Sequence, residues 1–324
     1  MKRLISLLLC ALLIVPALAE DAPDFEPIPW DIKVSPNLPN PDCYLPNNGG
    51  YHDDSIDIQI NVTYWTQDLQ QVDAPGEGTT TVMSARVKLT DVSQFRTGFA
   101  NKYPSKQARH VNDMTKRFNA VMGIDGDYCL YHEQGIVVRN GQTLRMRPHK
   151  GRDELIVDEN GDFHLITCTT QAKWDEYIAG GGTVLHAFCF GPALVVDGVP
   201  LTNLDDVTID NGKAKKAQRM LIGQIGKLEY LILTNEGPES TAPKSVGFDL
   251  VQMANLCVQF GLNNAYNLDG GSSSTIALNN QKINSPSSHK NRMVGDCIWF
   301  ATLVKEETWR EEESVQTVEV EENK

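Results

Sequence analysis

Asn267-Leu268-Asp269-Gly270-Gly271-Ser272-Ser273-Ser274-Thr275 is the stretch from which the rest of the chain is read. Ala265 to Leu268 forms a short apolar lead-in. A carboxylate, two glycines and four consecutive hydroxyl residues follow, and Ile276 and Leu278 then resume an alternating pattern. The order predicts strand, tight polar turn, strand. Gly270 and Gly271 permit positive φ and close approach to the backbone, and the amides of such a turn can converge into a nest suited to a phosphate. Taken alone, the same residues also fit an ordinary turn between two strands.

Upstream of this turn, Gly247, Leu250, Val251, Ala254, Cys257, Val258 and Gly261 recur at helical spacing, predicting a helix over 245–261 that Gly261 ends and that presents the Asp269 turn from behind. A second carboxylate cluster closes another apolar run: Asn119 to Ile124 reads as a buried strand and ends at Asp125-Gly126-Asp127-Tyr128. It reads as an acid or base of an active site, as a cation site, or as a solvated turn.

The remaining segments favour strands. Ile56, Ile58, Ile60, Val62 and Tyr64 alternate with polar residues, as do Met83, Ala85, Val87 and Leu89. Residues 155–157 and 163–166 flank Asn160-Gly161, and 219–224 and 228–234 flank Gly226-Lys227, so both pairs are predicted hairpins. Strands are also predicted over 184–190, 193–196 and 297–303, with a surface helix over 105–118 and a short helix over 174–178. So many hairpins beside few helices predict an α+β fold, with a mixed, largely antiparallel sheet core and packed helices in a single domain.

Composition removes several functions. The formal net charge of -13 argues against a general nucleic-acid binder, which needs clustered Lys and Arg. Lys2 and Arg3, an apolar run from Leu4 to Val15 and small residues before Glu20 predict a signal peptide over 1–19, and no later segment is long and apolar enough to span a bilayer. The mature protein is therefore expected outside the cytoplasm, secreted or in the cell envelope. Its six cysteines permit 15 disulfide pairings, with Cys257 and Cys297 also readable as buried free thiols, and no spacing marks a zinc site. Seven prolines between Pro23 and Pro46 predict an extended opening, and the eight glutamates of 305–324 predict a solvated tail. No P-loop, GxSxG or HExxH motif is present.

Together with Val137-Val138-Arg139-Asn140-Gly141, Phe190 to Val195 and Arg219 to Gly223, these segments resemble the phosphodiester glycosidase family over about residues 115–304. Bacterial members of that family are often labelled exopolysaccharide-related. The resemblance divides the chain into the signal peptide 1–19, a proline-rich segment with the first strand at 20–80, the glycosidase-like domain at 81–304 and the acidic tail at 305–324. It implies hydrolysis of a sugar 1-phosphodiester at the anomeric carbon, releasing free sugar and a phosphomonoester, with a glycan or sugar-phosphodiester substrate and no cofactor or metal. Asp269, Asp127 and Asp125 become the candidate catalytic residues. Arg219, Arg292, Gly270, Gly271, Ser272, Ser273 and Asn267 become candidates for holding substrate and its phosphate. Two positions depart from the family pattern: Ser272 stands where a third glycine is usual, and Asp125 where an asparagine is usual. Two other readings stay open: a non-catalytic glycan-binding or exopolysaccharide assembly protein, and a metal-dependent phosphoesterase using Asp125, Asp127 and Asp269.

Overall fold

The computed structural model describes residues 35–208, 212, 214–240, 244–285 and 291–308. The expected signal peptide and most of the expected acidic tail lie outside these residues. No described helix is long and apolar enough to cross a membrane.

The described strands form three sheets, and every pairing in them is antiparallel, so the expected mixed sheet is corrected. Three α-helices lie wholly within the described residues: α1 (Val111–Phe118), α2 (Gln171–Ala179) and α3 (Leu250–Gln259). The fold is mainly β with few helices, a lower helical share than the α+β expectation. The first sheet has at its centre Ile56–Trp65, Thr80–Leu89, Glu229–Asn235, Arg219–Gly226, Asn264–Asn267 and Ala193–Val196, in that order. The second runs Phe163–Ile166, Glu154–Val157, His186–Phe188, Gly135–Arg139, Gln142–Arg147; the third runs Gln281–Lys282, Ile276–Leu278, Met122–Asp125, Asp296–Phe300, Phe95–Phe99.

Alternation along the strands explains why the first sheet is buried on both faces. Met220, Ile222 and Ile232 point into a core shared with Ile124, Leu155, Ile276 and Ile298, whereas Leu221 and Leu233 pack against Leu250, Met253, Ala254, Leu256 and Cys257 of α3. Each such Leu, Ile or Met side chain contributes on the order of 1.5–3 kcal/mol by leaving water. α3 starts later than the periodicity implies. Gly247 takes a φ of +79, outside the helical region, and Asp249 and Gln252 form a reciprocal capping box that begins the helix at Leu250. Met253 and Leu256 take buried places, while Val258 is exposed. α1 likewise starts at Val111, after an extended His110, and ends where Asn119 turns left-handed. All six described cysteines are free thiols; Cys257 and Cys297 are buried, as read from the sequence.

Of the four crossovers between sheets, three meet in one place. Residues 189–192 pass from the second sheet to the first, 268–275 from the first to the third, and 126–134 from the third to the second. Hydrogen bonds tie each crossover to the other two. Asn267 donates from its backbone to the Pro192 carbonyl (3.0 Å) and from Nδ2 to the Gly191 carbonyl (2.8 Å). The Cys189 amide donates to Asp127 Oδ2 at 2.9 Å. The Asp269 amide donates to the Gly126 carbonyl at 3.3 Å, and the Thr275 amide to Asp125 Oδ1 at 2.8 Å.

Candidate active site

A cavity of about 490 Å³ opens at this junction. Its wall holds Leu268, Asp269, Gly270, Gly271 and Ser272 from one crossover, Tyr128 and Phe190 from the other two, residues 215–219 leading into the first sheet, and Arg292. The turn that carries Asp269 is built as its sequence implies. Gly270 is extended and Gly271 takes a φ of +62, which an L side chain adopts only at a cost; Gly271–Ser273 then makes one 3-10 turn. Ser272 is not among the left-handed residues, so a serine in place of the family's glycine strains nothing. Asp269 is 8% exposed, and its Oδ1 accepts the Gly270 amide at 2.9 Å.

The expected residues separate into two groups. Asp269, Gly270, Gly271, Ser272, Arg219 and Arg292 line the cavity together. Asp125, Asp127, Asn267 and Ser273 are buried behind its wall and do not line it. Asn267 and Asp127 are engaged in the bonds between crossovers. Asp125 is completely buried; that burial, and next the charge of Asp269, push its carboxyl well above the usual range. The shift favours the neutral carboxyl, the charge of the asparagine usual in the family.

Asp127 belongs to a buried charge cluster. Its Oδ1 accepts from the Cys129 amide (3.2 Å) and from Arg139 Nη2 (3.0 Å), and the same Nη2 donates to Asp296 Oδ2 at 3.2 Å. Burial works to raise the Asp127 pKa, but Arg139 and the Cys189 and Cys129 contacts outweigh it and leave a value of about 2. For Asp296, burial and the neighbouring Asp127 charge prevail over Arg139 and push it up to about 7. The Arg139 guanidinium also lies 4.4 Å from the Phe188 ring centroid and 5.8 Å from that of Phe99. Gly126 is required beside it, because a Cβ there would come within 2.4 Å of the Asp296 carboxyl. Asp127, Cys129 and Asp296 are the one group among the described residues with metal-ligand spacing, and Arg139 already supplies their cation.

Arg219 is placed differently. It is 6% exposed, its Nη2 donates to the Lys215 carbonyl at 2.8 Å, and it forms no ion pair among the described residues. Its Nε is buried without a hydrogen-bond partner, and burial lowers its pKa from the ordinary arginine value. Lys215 and Lys216 share this wall, against Asp269 and Glu239 as the acidic lining residues. On the far side, Tyr128 has a φ of +59, an outlier for an aromatic residue. Its ring stacks on Tyr131 with centroids 4.5 Å apart, and the exposed Arg292 guanidinium sits 5.4 Å from the ring, with Nη2 donating to the Tyr128 hydroxyl at 3.4 Å.

Sequence reasoning passed over Arg139, Asp296, Tyr128 and the two lysines. Arg139 carried a signal, since it ends the apolar run Ile136-Val137-Val138 on a strand buried throughout; a charge in such a run calls for a buried counter-charge. Asp296 precedes the apolar Cys297 to Phe300 in the same way.

Residues 118–301, more than half of the chain, match the family described as phosphodiester glycosidase. In fold, the protein is similar to the zebrafish N-acetylglucosamine-1-phosphodiester alpha-N-acetylglucosaminidase catalytic domain auto-inhibited by its pro-peptide, with a TM-score of 0.61 at 14% identity over 78% of this chain and 86% of that one. A hypothetical protein from Synechocystis gives a TM-score of 0.51 at 14% identity, over 76% of this chain and 62% of that one. No curated protein matches the sequence at a significant level. The two structural likenesses speak for the fold alone, whereas the family match covers most of the three sheets and the whole Asp269 turn. The chain belongs to the phosphodiester glycosidase family.

Proposed function

We propose that this protein is an exported hydrolase that cleaves a sugar 1-phosphodiester at the anomeric carbon, giving free sugar and a phosphomonoester. One observation carries the reading: a carboxylate on a glycine-rich turn and a buried guanidinium that forms no ion pair among the described residues line a single cavity. A phosphate leaving group, with a second pKa of about 6, needs little protonation as it departs. Its charge must be held, and Arg219 holds it, with Arg292 at the same cavity. Asp269 stands where the sugar's anomeric centre would lie, and acts there as base for the attacking water or as stabiliser of the oxocarbenium-like transition state. The zebrafish enzyme of similar fold is named for this bond, with N-acetylglucosamine as its sugar. Export follows from the signal-like residues 1–19, and a glycan of the envelope is the substrate such a location offers.

A metal-dependent phosphoesterase built on Asp125, Asp127 and Asp269 fits the site less well, because both oxygens of Asp127 are engaged and its neighbourhood is neutralised by Arg139. The deciding experiment incubates the mature protein with a panel of sugar 1-phosphodiesters and identifies both products. Free sugar with a phosphomonoester is expected. Release of sugar 1-phosphate would mean cleavage at phosphorus and would overturn the proposal.

A further inference from the structure

The turn that carries Asp269 spans seven residues from Asp269 to Thr275, and its geometry at the cavity is set by how its two ends are held. The entry is fixed to both neighbouring strands: the Leu268 amide donates to the Met220 carbonyl at 2.8 Å, and the Asp269 amide to the Gly126 carbonyl at 3.3 Å. The middle is fixed once, by the Gly271 amide on the Gln218 carbonyl at 3.0 Å. The exit is fixed by side chains. Thr275 donates its amide to Asp125 Oδ1 at 2.8 Å, while Asn284 brackets it by accepting from the Ile276 amide at 2.7 Å and donating to the Ser274 carbonyl at 2.9 Å.

We propose that Asp125 is a positioning residue, which locks the exit of the Asp269 turn from behind and thereby aims the cavity-lining backbone of Gly270, Gly271 and Ser272, without touching substrate. Asp125 is fully buried, lies outside the cavity wall, and sits at the end of the Met122–Asp125 strand, whose register with Ile276–Leu278 and Asp296–Phe300 fixes it on two sides. Gly126 supplies the entry anchor and Asp125 the exit anchor, so one dipeptide of the third sheet holds both ends of the turn. The charged groups that act on it are Asp269 on the turn and Asp296 on the adjacent strand, and both favour its neutral form. A neutral side chain with one accepting oxygen is all that the Thr275 amide requires. The inference deepens the proposed function, since it rests on the Asp269 turn being the substrate site.

The test compares Asp125→Asn with Asp125→Ala by amide hydrogen exchange across 269–275 and by steady-state kinetics on a sugar 1-phosphodiester that the wild type cleaves. Asp125→Asn keeps an acceptor and should leave exchange unchanged, with kcat and KM each within about threefold of wild type. Asp125→Ala should speed exchange of the Ser274 and Thr275 amides at least tenfold and raise KM about tenfold, with a smaller change in kcat. Loss of turnover by about a hundredfold in Asp125→Asn with exchange intact would make Asp125 a catalytic group and overturn the proposal. Unchanged exchange in Asp125→Ala would overturn it as well. If the wild type cleaves no substrate of this class, the function fails, and exchange alone still decides whether Asp125 holds the turn. If Asp125→Ala does not fold, the asparagine variant decides by the same two readouts.

Discussion

Arg139 and Arg219 are both buried guanidiniums on strands that flank the junction of the three sheets, and they differ in what surrounds them. Arg139 has two carboxylates within hydrogen-bond distance, two backbone carbonyls and two aromatic rings. Arg219 has one carbonyl, the charge of Asp249 acting on it without an ion pair, and a cavity. A buried charge with its counter-charge in place is structural; one whose surroundings leave its charge open is poised to bind an anion. The same contrast sorts the aspartates: Asp127 neutralises Arg139, while Asp269 faces the cavity.

Arg139→Met should have the largest effect. It strands Asp127 and Asp296 in the interior with no cation, a change expected to cost about 3–5 kcal/mol. Urea unfolding measures it directly, and a loss below about 1 kcal/mol would show that the cluster is not what ties 126–134 to the second sheet.

Asp269→Asn should act on chemistry and leave stability near native. The amide keeps the shape and the contact with the Gly270 amide, but it cannot serve as a base and loses the anionic charge, so turnover should fall by about a hundredfold or more. Early melting with most turnover retained per folded molecule would make Asp269 a structural residue like Asp127. Arg219→Met should raise KM about ten- to a hundredfold, the range expected for losing a hydrogen bond to a charged group, with at most a small stability loss because no buried carboxylate is left unpaired. If its stability instead falls as far as that of Arg139→Met, the two arginines do not differ in the way their surroundings indicate.

These pairs also mark what the sequence could convey. The strand and hairpin pattern was legible because apolar residues alternate where one face is buried, as in Ala85, Val87 and Leu89. The turn at Asp269 was legible because glycine and hydroxyl residues cluster there. The sorting of the carboxylates was not. Asp125 and Asp127 are two residues apart at a strand end, and only tertiary contacts from Thr275, Cys189 and Arg139 bury them behind the wall. Helix starts were misplaced for a local reason: the left-handed Gly247 and the Asp249 cap define α3 more sharply than hydrophobic spacing does.

Stability should also depend on pH through the Arg139 cluster. Asp296 is pushed up to about 7 in the folded protein against about 3.9 for an ordinary aspartate, so between those values the folded state holds a proton that the unfolded state lacks. The stabilisation from this group is complete below about pH 4 and is lost as pH rises through 7, with a slope of at most about 1.4 kcal/mol per pH unit. Asp127, held near 2, adds the opposite slope only at strongly acid pH. Melting temperature measured from pH 5 to 8 should therefore decline, and Asp296→Asn should flatten the decline. An unaltered slope in that variant would assign the effect to another group, of which Glu236, raised by burial to about 7, is the first to examine.

The smallest effect is expected at Ser272, and it tests how the turn itself is built. If the turn needed a left-handed residue there, glycine would relieve strain and stabilise the protein by about 1 kcal/mol. The left-handed residue of the turn is instead Gly271, at φ +62, and Ser272 follows it in a right-handed 3-10 turn at the cavity wall. Ser272→Gly should therefore change stability by less than about 0.5 kcal/mol and activity by less than about twofold. Gly271→Ala, one residue earlier, should cost about 1 kcal/mol by forcing a Cβ into the left-handed region, although nothing lies within 4 Å of that Cβ to clash with it. The two adjacent substitutions thus separate backbone strain from lost contacts. A stabilised Ser272→Gly together with a neutral Gly271→Ala would place the left-handed residue one position later.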